Sequence, residues 1–415
     1  MNAIDITKRV LKRILLGCLL SVSVIHTANA AVHEVTAVFK PDPANPMKNK
    51  FKNTTAQSPI CGAHMPARCE ALNIISLRSH AIRFENLKPI AANHESVREG
   101  VMYKVPSEWR DVEIMEVSSG KLETVQVRIA GIGGGWVISR PPGEHAFGSS
   151  YSVWGTAPPP CLSSSYLASG PGFLTFFWIV PEGAGICSRT TLFDIPIFNQ
   201  TSIDYAYEMK TPNPLDMPTG TYTGSIRYSI GPGMDFDFGD TMVPVGDSEL
   251  VLNFTLDVQH ALKVEIPPGG DQVELLPQGG WQAWLNQGRK PTRLFRDQTF
   301  NLSSSSRFKM NLECQYAIGN NCALWEANAG HEVPVEMSVT LPGGLTDAVG
   351  NPVNRRPLRR DGVGTELFQP AFYVERKPGT LHFEVARDAV EEMIKPNTPR
   401  RYRGNVTVIW DSEVN

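Results

Sequence analysis

Apolar and polar residues alternate at period two in several separate stretches of this 415-residue chain. Val125, Val127 and Ile129 alternate with Gln126 and Arg128. Leu250, Leu252, Phe254, Leu256 and Val258 share one face of a second run. Val335, Met337, Val339 and Leu341 form a third, and Leu381, Phe383 and Val385 a fourth. Successive side chains of a strand point to opposite faces, so each run predicts a half-buried β-strand. Between the runs lie clusters rich in Gly and Pro: Gly131 to Gly135, Pro158 to Pro160, Gly231 to Gly233, Pro267 to Gly270 and Pro342 to Gly344. These residue types favour turns, and all five clusters are read as turns. One helical period stands out, at Ala386, Ala389, Val390, Met393 and Ile394. It stops before Pro396, which predicts a short helix on a β framework. The expected class is all-β, built as antiparallel sandwiches.

Composition supports that reading. The 35 Gly and 32 Pro residues suit many short strands joined by turns. Hydrophobic residues at 41% and charged residues at 20% are enough for a packed core. A formal net charge of −3 gives no basis for nucleic-acid binding. Lys8, Arg9, Lys12 and Arg13 precede a mostly apolar run from Ile14 to Ile25, and Ala28-Asn29-Ala30 follows. This is the layout of a secretory signal peptide over residues 1–30, cleaved after Ala30. The apolar run is too short for the roughly 20 residues that span a bilayer. The later stretch Phe173 to Val180 is shorter still.

Cleavage would change the cysteine arithmetic. Of seven cysteines, Cys18 lies in the signal. Cys61, Cys69, Cys161, Cys187, Cys314 and Cys322 remain, and an exported chain favours disulfides for them. They permit 15 connectivities. Pairing of sequence neighbours is expected, because the other pairings need distant segments to meet. A zinc site would want two cysteines closer together than any pair here.

Two segments look alike. Thr219-Gly220-Thr221-Tyr222-Thr223-Gly224-Ser225-Ile226 and Arg401-Tyr402-Arg403-Gly404-Asn405-Val406 share Tyr-x-Gly-x-(Ile/Val), each after a proline-bearing turn. In the second, Tyr402, Gly404, Val406, Val408 and Trp410 fall on one strand face. Glycine on that face admits a neighbouring backbone or large side chain. The chain ends five residues after Trp410. A sandwich whose last strand is this one leaves a sheet edge uncovered, and an uncovered edge invites strand addition.

With its signal peptide, its Thr-Gly-Thr-Tyr-Thr-Gly segment and its Tyr402 to Asp411 ending, the chain resembles fimbrial proteins of the chaperone–usher pathway. Its length is similar to tip adhesins and pilus-initiating minor subunits, such as colonization-factor tip adhesins and cable-pilus initiators. The resemblance is strongest over 200–258 and 360–415. It implies two immunoglobulin-like β-sandwich domains, an adhesin domain over 31–259 and a pilin-like domain over 260–415. The second would be incomplete, with a strand supplied by a periplasmic chaperone during export and then by the next pilus subunit after an outer-membrane usher. Tyr402, Gly404, Val406, Val408 and Trp410 would line the chaperone and donor-strand groove. The N-terminal domain would recognise a host receptor, a glycan among the candidates, with the protein on the cell surface as part of a fimbrium. The close Cys314 and Cys322 pair departs from common pilins.

Enzyme motifs fare poorly, so the expectation is a binding protein with no catalytic residues, metal or cofactor. Gly131 to Gly135 lacks the final glycine of a nucleotide loop and runs into Val137-Ile138, which reads as strand where a phosphate loop needs a helix. His33, His94 and His331 each precede a glutamate, but none has a second histidine four residues on. Asp235, Asp237 and Asp240 are read as a solvated turn in preference to a calcium site. Arg355, Arg356, Arg359 and Arg360 are read as a solvated loop. Sugar sites pair aromatic platforms with polar donors, which makes Trp136, Arg140 and Trp154 receptor candidates, with Trp109 and Trp178 behind them. The competing reading is an exported glycan-active enzyme with a β-sandwich accessory domain. A periplasmic chaperone is disfavoured by the length and the cysteine count.

Overall fold

The computed structural model describes residues 30–139, 147, 151–170, 172–395 and 400–412. The expected signal peptide over 1–30, apart from Ala30, and the candidate Arg140 lie outside the described residues. The fold is all-β with several sheets, and the described hydrophobic core falls into two large clusters and one small one.

The principal strands of the N-terminal part are β1 (Ala30–Phe39), β2 (Ile74–Ser79), β3 (Arg110–Glu116), β4 (Leu122–Ile138), β5 (Phe173–Ile179), β6 (Phe198–Lys210), β7 (Gly220–Ser229) and β8 (Glu249–Val258). All belong to one sheet whose central order is β6-β4-β3-β7-β8-β1. Strand β8 is covered on both edges. It runs antiparallel to β7 from Gly220↔Val258 to Ser229↔Glu249, and parallel to β1 from Ala30↔Glu249 to Phe39↔Val258. Its apolar row Leu250, Leu252, Phe254, Leu256 and Val258 is fully buried. Burying each such side chain contributes about 1.5–3 kcal/mol, so this one row anchors the sheet.

The turn from β3 to β4 is closed by a carboxylate. Glu116 accepts hydrogen bonds from Ser118 N at 3.1 Å, Ser119 N at 2.5 Å and Ser118 Oγ at 2.8 Å. Hydrogen bonds from Ser119 first, then Ser118, bring its pKa down to about 2. A depressed carboxylate contributes stability that is present above its unfolded value and lost as pH falls through the folded one. Glu116→Gln should therefore be less stable than the parent at pH 7. The gap should close as pH drops from about 4.5 toward 2, read from urea midpoints across that range. A gap that persists undiminished at low pH would contradict this role.

The glycine run Gly131 to Gly135 is not a turn, which corrects the expectation above. It lies in the middle of β4, paired with β5 on one side and β6 on the other. A Cβ at Gly131 would sit 2.4 Å from the Phe177 ring, and one at Gly133 would sit 2.1 Å from the Phe176 carbonyl oxygen. Gly134 adopts φ +137° beside the register shift between Gln200 and Ser202. Gly131 makes room for the Phe177 ring and Gly133 for the close approach of the β5 backbone, a use of glycine that leaves the ladder intact.

Beneath β4 lies an aromatic cluster. Trp154 stacks on Trp178 at 5.2 Å, and Trp178 Nε1 donates to the Trp154 carbonyl at 2.9 Å. Trp136, Phe176 and Tyr103 close around them. Disulfides join Cys61 to Cys69, Cys161 to Cys187 and Cys314 to Cys322. Cys161 and Cys187 are buried within the aromatic core and 26 residues apart. Removing this bridge as Cys161→Ser with Cys187→Ser should cost about 3 kcal/mol in urea unfolding. A loss below about 1 kcal/mol would show that the aromatic packing alone fixes these segments.

Beyond β8 the chain enters a second set of sheets. At the crossing, His260 Nε2 donates to the Met217 carbonyl at 2.8 Å, and its Nδ1 lies 3.2 Å from Ser305 Oγ. The elements are β9 (Leu262–Glu265), α1 (Gln282–Gln287), β10 (Leu294–Ser304), β11 (Lys309–Cys314), β12 (Asn321–Glu326), β13 (His331–Thr340), β14 (Val374–Val385), α2 (Arg387–Met393), β15 (Tyr402–Arg403) and β16 (Val406–Asp411). One sheet runs β9-β10-β14-β13-β12, with β15 also on β12, and β11 pairs separately with β16. The predicted alternations become β13 and β14, and the predicted helix is α2, which buries Val390 against the core.

Candidate functional site

The two look-alike segments share a tyrosine and a closely approached glycine, and their flanks differ. In the N-terminal part the segment is β7. Tyr222 is buried, and its hydroxyl donates to the Pro218 carbonyl at 3.1 Å. Gly224 lies so close to β3 that a Cβ would meet the Glu113 carbonyl oxygen at 2.3 Å. In the C-terminal part the segment is β15 and β16. Tyr402 hydroxyl is 2.9 Å from His331 Nδ1, and a Cβ at Gly404 would meet the Ala323 carbonyl oxygen at 2.8 Å. Both glycines thus serve close backbone approach.

The flanks then diverge. β7 stands between β3 and β8. β16 pairs with β11, from Lys309↔Asp411 to Cys314↔Val406, and no strand flanks its other edge among the described residues. In the N-terminal part the row Leu250 to Val258 of β8 covers the core at the corresponding edge. Beside β16 there is an open groove of about 1950 Å³. That exceeds the roughly 300–1,000 Å³ of small-molecule pockets. The groove runs along the chain from Tyr402 to Trp410, about 30 Å at strand rise.

Its walls are apolar and half-exposed. Val406, Val408 and Trp410 pack against the core without being covered by it. Trp410 leans on Phe300 at 5.1 Å and Phe308 at 5.6 Å. Across the gap stand Val264 of β9, then Leu275, Trp281 and Trp284 from the segment before β10. All five residues assigned to the groove from sequence line it: Tyr402, Gly404, Val406, Val408 and Trp410. The far wall escaped the sequence reading. Leu275, Trp281 and Trp284 carry no strand alternation, and α1 is too short to show a helical period.

At the Tyr402 end the groove is polar. Behind it, on β12 opposite Tyr402, Glu326 is buried and accepts from Ala329 N at 2.6 Å and Asn328 N at 3.2 Å. The Ala329 amide, with Asn328 behind it, holds the Glu326 carboxyl below the usual carboxylate range. Arg400 Nη1 donates to the Glu392 carbonyl at 2.9 Å and to the Tyr402 hydroxyl at 3.3 Å.

The receptor candidates need correcting. Trp136 and Trp154 are each 1% exposed and belong to the aromatic core, as does Trp178. They offer no surface platform, because β4 and β5 turn their indoles inward. Trp109 is half-buried, with Lys210 Nζ 3.8 Å and the Arg128 guanidinium 5.4 Å from its ring centre. The acidic triplet is not a solvated turn. Arg98 bridges Asp237 at 2.8 Å and Asp240 at 2.7 Å, and Arg110 holds Asp235 at 2.5 Å. The arginine loop is partly engaged as well, with Arg356 on Asp347 at 2.6 Å. No group of three or more potential metal ligands occurs among the described residues.

No family profile and no curated protein matches the chain. Solved structures do. One is a chain of a chaperone–tip adhesin complex of CFA/I fimbriae biogenesis, with 10% identity over 94% of this chain and 98% of that one, TM-score 0.25. A second is CfaE, the adhesive subunit of the CFA/I fimbria of enterotoxigenic Escherichia coli, with 11% identity over 92% of each chain, TM-score 0.25. A third is in the CsuC–CsuE chaperone–tip adhesion subunit pre-assembly complex of archaic chaperone–usher Csu pili from Acinetobacter baumannii, with 8% identity over 92% and 99%, TM-score 0.22. Likeness at such TM-scores carries no argument by itself.

Proposed function

We propose that the chain is a fimbrial tip adhesin or minor pilus subunit that attaches bacteria to host surfaces. Residues 31–259 form the receptor-binding domain and 260–415 the pilin-like domain. A periplasmic chaperone and an outer-membrane usher assemble it by donor-strand complementation. The observation that carries this reading is the flank of β16. The look-alike β7 has a neighbour on each side, whereas β16 presents one edge unpaired among the described residues above a half-exposed apolar row. An unpaired edge with apolar pockets is the chemistry of strand addition: the ladder gives affinity and the pockets give selectivity. It is also a folding liability unless covered, which a chaperone would do during export. β1 is already paired with β8 over its whole length, so that strand is not available to complete a neighbouring subunit. The receptor site stays with the N-terminal domain, away from Trp136 and Trp154.

Co-expression tests this. Full-length protein should be recovered from the periplasm as an equimolar complex with its chaperone, and without it most should be lost to proteolysis or aggregation, leaving a small soluble remainder. Equal periplasmic yield with and without the chaperone would overturn the reading.

A further inference from the structure

Three arginines sit at the Tyr402 end of the groove, and the side chains of two have no partner among the described residues. Arg400 is held by the Glu392 carbonyl and the Tyr402 hydroxyl, and neighbouring Lys395 is paired with Glu392. Arg401 and Arg403 also line the groove. Their side chains are exposed and make no hydrogen bond or ion pair among the described residues. Arg403 of β15 and Arg401 just before it are exposed and alternate with half-buried Tyr402 and Gly404, so both arginines lie on the outward side. The opposite wall carries Asp271 and Glu274, which form no ion pair with these arginines among the described residues.

A strand that adds to the open edge of β15 and β16 would form its ladder with that edge. Its outward side chains would then stand about 5 Å from Arg401, Arg403 and their neighbours. Asp271 and Glu274 belong to an irregular segment that offers no ladder and does not set the register. Like charges directly opposite are unfavourable and opposite charges favourable. We propose that the strand accepted by this groove carries acidic side chains on its outward face where it passes Arg401 and Arg403. The apolar inward row would then supply affinity, and the acidic outward positions would select among otherwise similar strands. This rests on the reading of the groove as a strand acceptor.

The test uses the mature full chain and three synthetic 11-residue peptides. All share alternating Val and Ile on the inward face, and carry Glu, Gln or Lys at the outward positions. Binding is read by fluorescence anisotropy at low and high salt. The Glu peptide should bind about fivefold tighter than the Gln peptide, and the Lys peptide weakest, with the spread collapsing at high salt. In Arg401→Gln with Arg403→Gln the Glu preference should disappear. Equal binding of the Glu and Gln peptides, a preference for Lys, or a Glu preference that survives the double variant would overturn the charge selection while leaving the groove as an acceptor. Failure of all three peptides to bind would overturn the acceptor reading itself.

Discussion

Val406→Asp combined with Val408→Asp should abolish recovery of the full chain from the periplasm, even with its chaperone present. Both valines are half-exposed on the groove face of β16 and pack against the C-terminal core. A strand docked beside them would strip water from any carboxylate placed there. The penalty for burying an unpaired ion is several kcal/mol each, more than a small domain's margin of stability can absorb twice. Thr407 lies between them and is exposed on the opposite face, so Thr407→Asp should leave the yield close to that of the parent. A fragment of residues 31–259 contains neither position and should keep its yield. Normal recovery of the double variant would count against the groove.

Gly133→Ala should be among the most damaging single methyl additions in the N-terminal part. The new Cβ would lie 2.1 Å from the Phe176 carbonyl oxygen and 2.8 Å from Phe177 Cα. Both are backbone atoms, and β4 is held between β5 and β6, so neither neighbour can give way without breaking ladder hydrogen bonds. Overpacking of a core costs about 1–3 kcal/mol where side chains can adjust, and here the cost should be about 3 kcal/mol or more. Gly185→Ala is the control, since a Cβ there meets nothing within 4 Å. It should change the urea midpoint of the 31–259 fragment by less than about 0.5 kcal/mol equivalent. Similar effects from the two substitutions would mean that the glycine run has no packing role.

What could be read from the chain and what could not divide along a physical line. The alternation Leu250 to Val258 is a local pattern written by one buried face, and it became β8 as expected. The glycine run carries the same local signal as a turn. Its true role depends on Phe176 and Phe177, which reach it only through strand pairing. Asp235 and Asp237 look like a solvated pair in sequence, yet their arginine partners come from positions 125 and 139 residues away. Trp136 and Trp154 sit near turn signals, but tertiary packing turns them into the core. The groove was half legible. Its near wall showed through the likeness of Tyr402 to Val406 with Tyr222 to Ile226, whereas its far wall is irregular and carries no period.

The central claim is that β16 waits for a strand, and amide hydrogen exchange along Val406 to Asp411 reads this directly. An antiparallel strand paired on one edge alone directs about half of its amides to its partner and the rest to the open side. In the chain without a partner, alternate amides of β16 should therefore exchange fast while those bonded to β11 are protected. All of them should become protected in the chaperone complex. Uniform protection of β16 in the free chain would contradict the account, because its second edge would already be covered.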